Sequence, residues 1–442
     1  MAQGMYLVNA PGQELEQLAT AIRARVGAGS GDPLVAVGAN RAVVPAGVAT
    51  LLAQAAPGVA VTETLLALGA RRAEPLSLDR AAELMRSRDA SEFALVRGDG
   101  GAPLVNHGVD WHLARTKLAA AWDLAGGRDA IDWGTIVVGQ VDTGWTEHPA
   151  LGFGSATPFV DTDRDWNYFT AETDPEPGTW ADPPPRDSAH DPLTGPNGGH
   201  GTRTATVLAG HDPAAGYYGA APRVPYIPVR LSNCIEIGRE IAGLADALAH
   251  LIDVGGVDVI TMSMGTSPGG LPPKARAELA RAYEHGIIVC CAAGNYAPFV
   301  VVPAREKHTI AVAGCAPGDR PWSGSSCGPQ VDISAPAWPI RRGTAEPAGA
   351  GVVYSYGYGD GTSFATPQVA GTAALWLAHR GGEIRRKYGG WPRVEAFKKL
   401  LLATADDCGG AWDTANYGAG ILDAAAVLQA DLPPAASLRR EA

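Results

Sequence analysis

Three stretches of this 442-residue chain place polar side chains where reactions can be run. In "GDGTSFATPQVAGTAALWLAH" (359–379), Ser363 stands between a glycine-rich turn and an apolar run carrying Val369, Ala370, Ala373, Leu375 and Leu377. The run reads as a buried helix, so Ser363 and Thr362 fall where it begins. A serine there can simply cap the helix, its oxygen accepting an orphan N–H. It can also be a nucleophile, because a helix N-terminus offers N–H groups and a partial positive charge to a forming oxyanion. A serine hydroxyl is weak on its own and needs a histidine base and a group that orients the base. "VVGQVDTGWTEHPAL" ends a buried strand at Asp142, and "GGHGTRTATVLAG" puts His200 in a glycine-rich turn before a helix. Taken singly, Asp142 fits turn chemistry and His200 fits an ordinary satisfied polar residue.

The elements that must bring these groups together follow from the pattern after about residue 130. "TIVVGQVDTG", "RVPYIPVRL", "VDVITMSMG", "IIVCCAAGN" and "HTIAVAGCA" read as continuous apolar strands. "REIAGLADALAHLIDVG" and "PPKARAELARAYEHG" between them read as helices. Apolar strands separated by helices indicate an α/β domain with a parallel sheet covered on both faces. Function in such a sheet gathers at the carboxyl ends of strands, where Asp142, Gly265 and Asn295 fall. Residues 1 to about 100 differ: "GMYLVNA", "ELEQLATAIRARV", "PLVAVG", "RAVVPA", "GVATLLAQAA" and "VAVTETLLAL" read as β-α-β-β-α-β, a small separate α+β unit. The Gly- and Pro-rich "RGDGGAPLVNHG" (97–108) is the junction.

Composition narrows the function. With 46% hydrophobic and 18% charged residues the chain is globular. A net charge of −11 argues against nucleic-acid binding, which calls for a basic face. No apolar run reaches the ~18 residues that cross a bilayer. The opening "MAQGMYLVNAPGQELEQLATAIRARV" lacks the basic start and apolar core of a signal peptide, so the expected location is the cytoplasm, or outside by a route without such a signal. The six cysteines show no metal-ligand spacing, and free buried thiols are expected.

"VDTG", "GHGT" and "GTSFATP" resemble the three catalytic signatures of the subtilisin-like serine proteases (subtilases), in that family's order Asp…His…Ser. "AAGN" (292–295), "SMG" (263–265) and "YGAGILDAAAVL" resemble its oxyanion, substrate-binding and closing segments. The resemblance covers about residues 106–428, with 429–442 left as a tail, and implies a three-layer fold with a mainly parallel central sheet. It implies that Ser363 attacks a peptide carbonyl, His200 moves the proton and Asp142 orients the imidazole. Asn295 and the Ser363 N–H would hold the oxyanion. Ser263, Met264 and Gly265 would take an extended protein or peptide substrate by strand addition, with Ala292, Ala293 and Gly294 walling the pocket and 230–238 as the opposite edge. Phe364, Thr366, Gln368 and Arg203 depart from the family's usual Met, Ser, His and His without removing a catalytic atom. Many subtilases carry an inhibitory prodomain, the role this implies for residues 1–100.

Four further features compete or add. "GTSPG" with Ser267 and "GSSCG" with Ser326 match the G-x-S-x-G elbow of α/β-hydrolases. Pro268 denies the first its oxyanion N–H, and a strand-like run follows the second. A catalytically silent scaffold of the same fold is the non-enzymatic alternative. No cofactor is required by this chemistry. Calcium enters only through "DTDRDWNYFTAE", where Asp161, Asp163, Asp165 and Glu172 have loop spacing, yet Trp166 stands where that loop needs glycine. Residues 161–191 hold nine acids, Asp161, Asp163, Asp165, Glu172, Asp174, Glu176, Asp182, Asp187 and Asp191, against Arg164 and Arg186. That field suggests a tilt toward basic substrates.

Overall fold

The computed structural model describes residues 5–9, 12–26, 35–38, 41–44, 46–57, 59–68, 70, 72–76, 110–155, 158–168, 188–194, 197–266, 270–348 and 351–441. In the N-terminal unit β1 (Met5–Asn9), α1 (Gly12–Val26), β2 (Val35–Gly38), β3 (Arg41–Val44), α2 (Ala46–Ala55), α3 (Val61–Ala67) and β4 (Arg72–Leu76) follow in order. The sheet runs β2-β3-β1-β4, antiparallel throughout. Val8, Leu18, Ile22, Val44, Leu52 and Leu65 form its core. The α+β reading holds, with one correction. "VAVTETLLAL" is not the last strand but helix α3, whose Val61, Thr64 and Leu65 are buried at helical spacing.

The larger region opens with two short helices, α4 (Trp111–Arg115) and α5 (Leu118–Leu124), and then β5 (Val138–Asp142). There follow β6 (Trp166–Asn167), α6 (His200–Ala209), β7 (His211–Asp212), β8 (Tyr217–Tyr218), β9 (Tyr226–Arg230), α7 (Leu244–His250) and β10 (Val259–Met262). Next come α8 (Pro273–Glu284), β11 (Ile288–Ala292), β12 (Ile310–Ala316), β13 (Arg320–Pro321) and β14 (Ile333–Pro336). A long hairpin, β15 (Ile340–Ala348) and β16 (Gly351–Gly359), precedes α9 (Thr362–Lys387), α10 (Trp391–Ala403) and α11 (Ala424–Gln429). The main sheet runs β13-β12-β11-β10-β5-β9-β6, with β14 also on β12. Every pair is parallel except β12–β13.

Both faces of this sheet are covered, which explains the unbroken apolar strands. Val138, Val259, Cys290 and Val312 face α6 and α9, while Val141, Ile260, Cys291 and Ala311 face α7 and α8. Cys290 and Cys291 thus point to opposite faces, and all six cysteines are free thiols. The run 239–255 is three pieces, a 3₁₀ turn, α7 and a wider π turn, rather than one helix. The end of the chain is no loose tail. Leu432 and Leu438 are buried, and the Glu441 carboxylate accepts the His308 N–H at 2.8 Å. Among the described residues no helix is long and apolar enough to cross a membrane.

Candidate active site

Asp142 closes β5 and His200 opens α6. They meet because glycine backbones let the two turns touch. Gly144 has φ +103°, and a methyl group built on Gly201 would overlap the Gly144 carbonyl. The His200 Nδ1–H donates to Asp142 Oδ1 at 2.7 Å, with both side chains 2% exposed. The Thr143 N–H donates to the same oxygen at 2.8 Å. The Thr204 hydroxyl donates to Asp142 Oδ2 at 3.1 Å, and Gln140 Nε2 donates to Thr204 Oγ1 at 2.8 Å. A carboxylate so fully committed fixes the imidazole tautomer that leaves Nε2 as the base.

Ser363 is the second residue of α9, and it is not a cap: Gly361 holds the cap position and has no side chain to cap with. Pro367, four residues on, has no N–H to give the Ser363 carbonyl. That carbonyl instead accepts the Ser263 hydroxyl at 2.9 Å, and the Ser363 hydroxyl donates to the Ser263 carbonyl at 3.2 Å. The serine is thus parked on β10's extension, a hydrogen bond that turning toward His200 must break. Phe364, next to it, has its ring 6.3 Å from the His200 ring, with the buried Arg342 guanidinium 5.4 Å beyond.

Asn295 lies three residues past β11. Its Oδ1 accepts both the N–H and the hydroxyl of Thr362, each at 2.9 Å, so Nδ2 is the end turned toward Gly361 and Ser363. The Phe364 N–H donates to Gly361. The Ser363 N–H has no acceptor among the described residues. A pair of donors, one side chain and one backbone, is therefore available to an oxyanion.

The adjoining pocket is lined by Ser263, Met264, Gly265, Ala292, Gly294, Asn295 and Ser363, with Asn197, Cys234, Ile235 and Glu236 opposite. Two expectations are corrected here. Ala293 is fully buried, its N–H and carbonyl bound to Val312 and Val301, so it backs the wall instead of lining it. Gly265 does not present an empty strand edge. Its N–H donates to Ile235 and its carbonyl accepts the Ile237 N–H, both at 2.9 Å, so the two edges of the groove pair with each other. On its other flank a side chain at Gly265 would come 2.6 Å from the Val302 carbonyl.

The calcium-loop spacing is used otherwise. Asp161 is bound by Arg164 through N, Nε and Nη2 at 3.0, 2.8 and 2.6 Å. Asp165 Oδ2 accepts from Trp145 Nε1 and the Ala189 N–H. Glu172 lies outside the described residues, and among the described residues no three metal-binding side chains converge. Asp165 and Asp191 are buried, so these two of the nine acids add no solvent-facing field of their own. Five more of the nine, Glu172, Asp174, Glu176, Asp182 and Asp187, lie outside the described residues. So does Ser267, while Ser326 is fully buried in the loop between β13 and β14 rather than on a strand-to-helix turn. Sequence reasoning did not single out Thr204, Gln140 or Thr143, although all three sit within a few residues of the two signatures.

Comparison with known proteins places the chain in a family. The model of the subtilase family matches residues 134–420. The chain is 31% identical over 238 residues to Subtilisin E of Bacillus subtilis (strain 168), covering 52% of this chain and 56% of that one, so it spans little more than half of that relative. It is 26% identical over 337 residues to an alkaline protease of Alkalihalobacillus alcalophilus, covering 76% and 73%. Two solved structures share the fold. One is a protease of Pseudoalteromonas arctica PAMC 21717, with a TM-score of 0.56 at 22% identity over 72% of this chain and 96% of that one. The other is MycP1 with its N-terminal propeptide removed, with a TM-score of 0.53 at 21% identity over 73% and 98%. With more than half of its length matched by the family model, and with Asp142, His200 and Ser363 carried on the turns described, this chain belongs to the subtilase family.

Proposed function

We propose that the protein is a serine endopeptidase that hydrolyses peptide bonds through an acyl-enzyme. The buried 2.7 Å His200–Asp142 hydrogen bond carries this reading, because a structural histidine has no need of a carboxylate held by three donors. Ser363 Oγ leaves the Ser263 carbonyl and bonds to His200 Nε2 as substrate enters, in line with catalytic hydrogen bonds that tighten only in the complex. It then attacks the peptide carbonyl while His200 takes its proton, and the imidazolium, stabilised by Asp142, passes that proton to the leaving amine. Water repeats the cycle in reverse to free the acid. Asn295 Nδ2 and the Ser363 N–H take the negative oxygen in both halves.

The substrate binds extended. For it to add to Gly265, residues 235–237 must first give up their pairing there, so binding and opening are one event. Residues 1 to about 100 act as the chain's own inhibitory prodomain, removed by self-cleavage. The parked serine favours one other reading, a silent scaffold.

Intact mass with and without a fluorophosphonate probe, for wild type and Ser363→Ala, decides between them. Labelling of wild type alone, with loss of about a hundred N-terminal residues, is the expected result. Labelling at full length removes the prodomain and keeps the hydrolase. No labelling, before or after trimming the N-terminal unit, leaves only the scaffold.

A further inference from the structure

A second carboxylate lies beside the Asp142–His200 pair, and the chemistry above does not use it. Asp191 is 1% exposed. Its Oδ2 accepts the Thr143 hydroxyl at 2.9 Å and the Gly199 N–H at 2.7 Å, and its Oδ1 accepts the Leu193 N–H at 2.8 Å. Thr143 Oγ1 in turn accepts the Gly201 N–H at 2.9 Å. One carboxylate is therefore tied to the residue after Asp142 and to the residues on both sides of His200. Its own backbone is anchored as well, since the Asp191 N–H donates to the Trp145 carbonyl at 2.8 Å.

A buried carboxylate needs a compensating charge. Arg230 is fully buried on β9, directly across from Asp142 in the strand register. Burial holds the Asp191 carboxyl above the usual carboxylate range, and the Arg230 guanidinium offsets part of that rise. The backbone sets the direction of the whole relay: the Gly201 N–H can only donate, so Thr143 Oγ1 accepts it with a lone pair and turns its own hydroxyl hydrogen to Asp191 Oδ2.

We propose that Asp191, acting through the Thr143 hydroxyl, is a positioning residue that locks the His200 turn in register with Asp142. The inference rests on the hydrolase reading. The two partners of the catalytic pair are 58 residues apart on different elements. Gln140 Nε2, bound to the Gly201 carbonyl at 2.9 Å, ties the turns from the strand side. The Asp191–Thr143 relay ties them from the loop side. A displacement of about 1 Å in such a pair costs on the order of 10²-fold in rate.

The test uses the full chain, a peptide substrate and a fluorophosphonate probe. Asp191→Asn keeps the shape but replaces one acceptor oxygen with a donor. It is expected to lower kcat and the probe-labelling rate together by about 10- to 100-fold, with KM within about twofold of wild type. Thr143→Val, which removes the relaying hydroxyl at similar volume, should do the same, and Thr143→Ser should restore wild-type rates. Asp191→Asn that loses thermal stability alone, with kcat intact, overturns the proposal. If that variant does not fold, the Thr143 pair decides, and Val and Ser behaving alike overturns it. A wild type that is not labelled at all sinks the hydrolase reading and this inference with it. A labelled wild type with indifferent Thr143 variants sinks this inference alone.

Discussion

Asn295 is an amide whose two ends have been sorted by its neighbour. Thr362 gives Oδ1 two hydrogen bonds, and the remaining end can only donate toward the pocket. Asn295→Ala should therefore lower kcat by about 10²–10³-fold and change KM little, since the lost bond exists only once the oxyanion forms. Asn295→Asp should fall further, because it keeps the Thr362 contacts and sets a negative charge against the oxyanion. Steady-state kinetics on one peptide checks both, and an Asp variant better than Ala would remove Nδ2 from the oxyanion site. That Asp142 and His200 come together was legible because "VDTG" and "GHGT" resemble family signatures, and the folded chain joins the two; Ser363 and Asn295 were read in the same way from "GTSFATP" and "AAGN". Ala293 was misplaced although a signal existed: Ala292 and Gly294 flank it, and residues two apart along an extended chain share a face. Thr143 and Asp191 were not legible, because a hydroxyl and a carboxylate nine residues before a histidine carry no pattern until the chain folds back.

At the scale of the element, the substrate edge behaves differently from its strand-like sequence. "VDVITMSMG" reads as a strand, and the family resemblance implies that Ser263, Met264 and Gly265 at its end stand open to substrate. In the folded chain Ile235–Ile237 takes that edge, held in turn by the Ile235 N–H donating to Asn197 Oδ1 at 2.9 Å. Each backbone bond surrendered on opening is worth about 1 kcal/mol net, and an entering peptide replaces those at Gly265 but not the one at Asn197. Asn197→Ala should thus ease opening. The ratio of kcat/KM for a substrate with four residues before the cleaved bond to one with two should rise several-fold, and a ratio that stays put would show that long substrates do not displace this segment. Pattern alone missed this pairing because a closed edge and an open one have the same apolar alternation. The same limit produced the error at α3, where the β-branched "VAVT" opens a helix, and left the β15–β16 hairpin unread, since its Gly, Ala and Pro content masks strand periodicity.

Over the whole molecule, the region that carries the candidate site is held at both of its ends. Residues 430–432 run along one side of α9, where Arg380 and Lys387 donate to the Ala430 and Leu432 carbonyls. The other end enters through α4, where Trp111 Nε1 donates to the Pro339 carbonyl at 2.7 Å and Asp110 faces Arg341 at 3.5 Å, at the root of the hairpin that leads to Ser363. His112 sits inside this joint, 2% exposed, with Nδ1 lacking a hydrogen-bond partner among the described residues. Burial first, then the Arg341 charge, push its imidazole down from 6.5 to about 3. The unfolded chain therefore binds a proton between these values that the folded chain refuses. Stability supplied by the neutral imidazole is fully present above pH 6.5, falls as the pH drops through the window, and is exhausted below about 3. At pH 5 the loss should be about 2 kcal/mol relative to neutral pH. Asp110, Asp191 and Asp332 are raised by burial and act with the opposite sign, because protonation relieves them. The raw acid limb therefore mixes the two, and a difference measurement isolates the histidine. His112→Gln removes the titration while keeping a polar side chain of similar reach. Urea unfolding of Ser363→Ala, which cannot digest itself, should show stability falling more steeply from pH 7 to pH 5 than in the double variant Ser363→Ala/His112→Gln. Parallel slopes would mean that the imidazole stays as free to charge in the folded joint as in the unfolded chain, and that acid opens the molecule somewhere other than at the root of the hairpin that leads to Ser363.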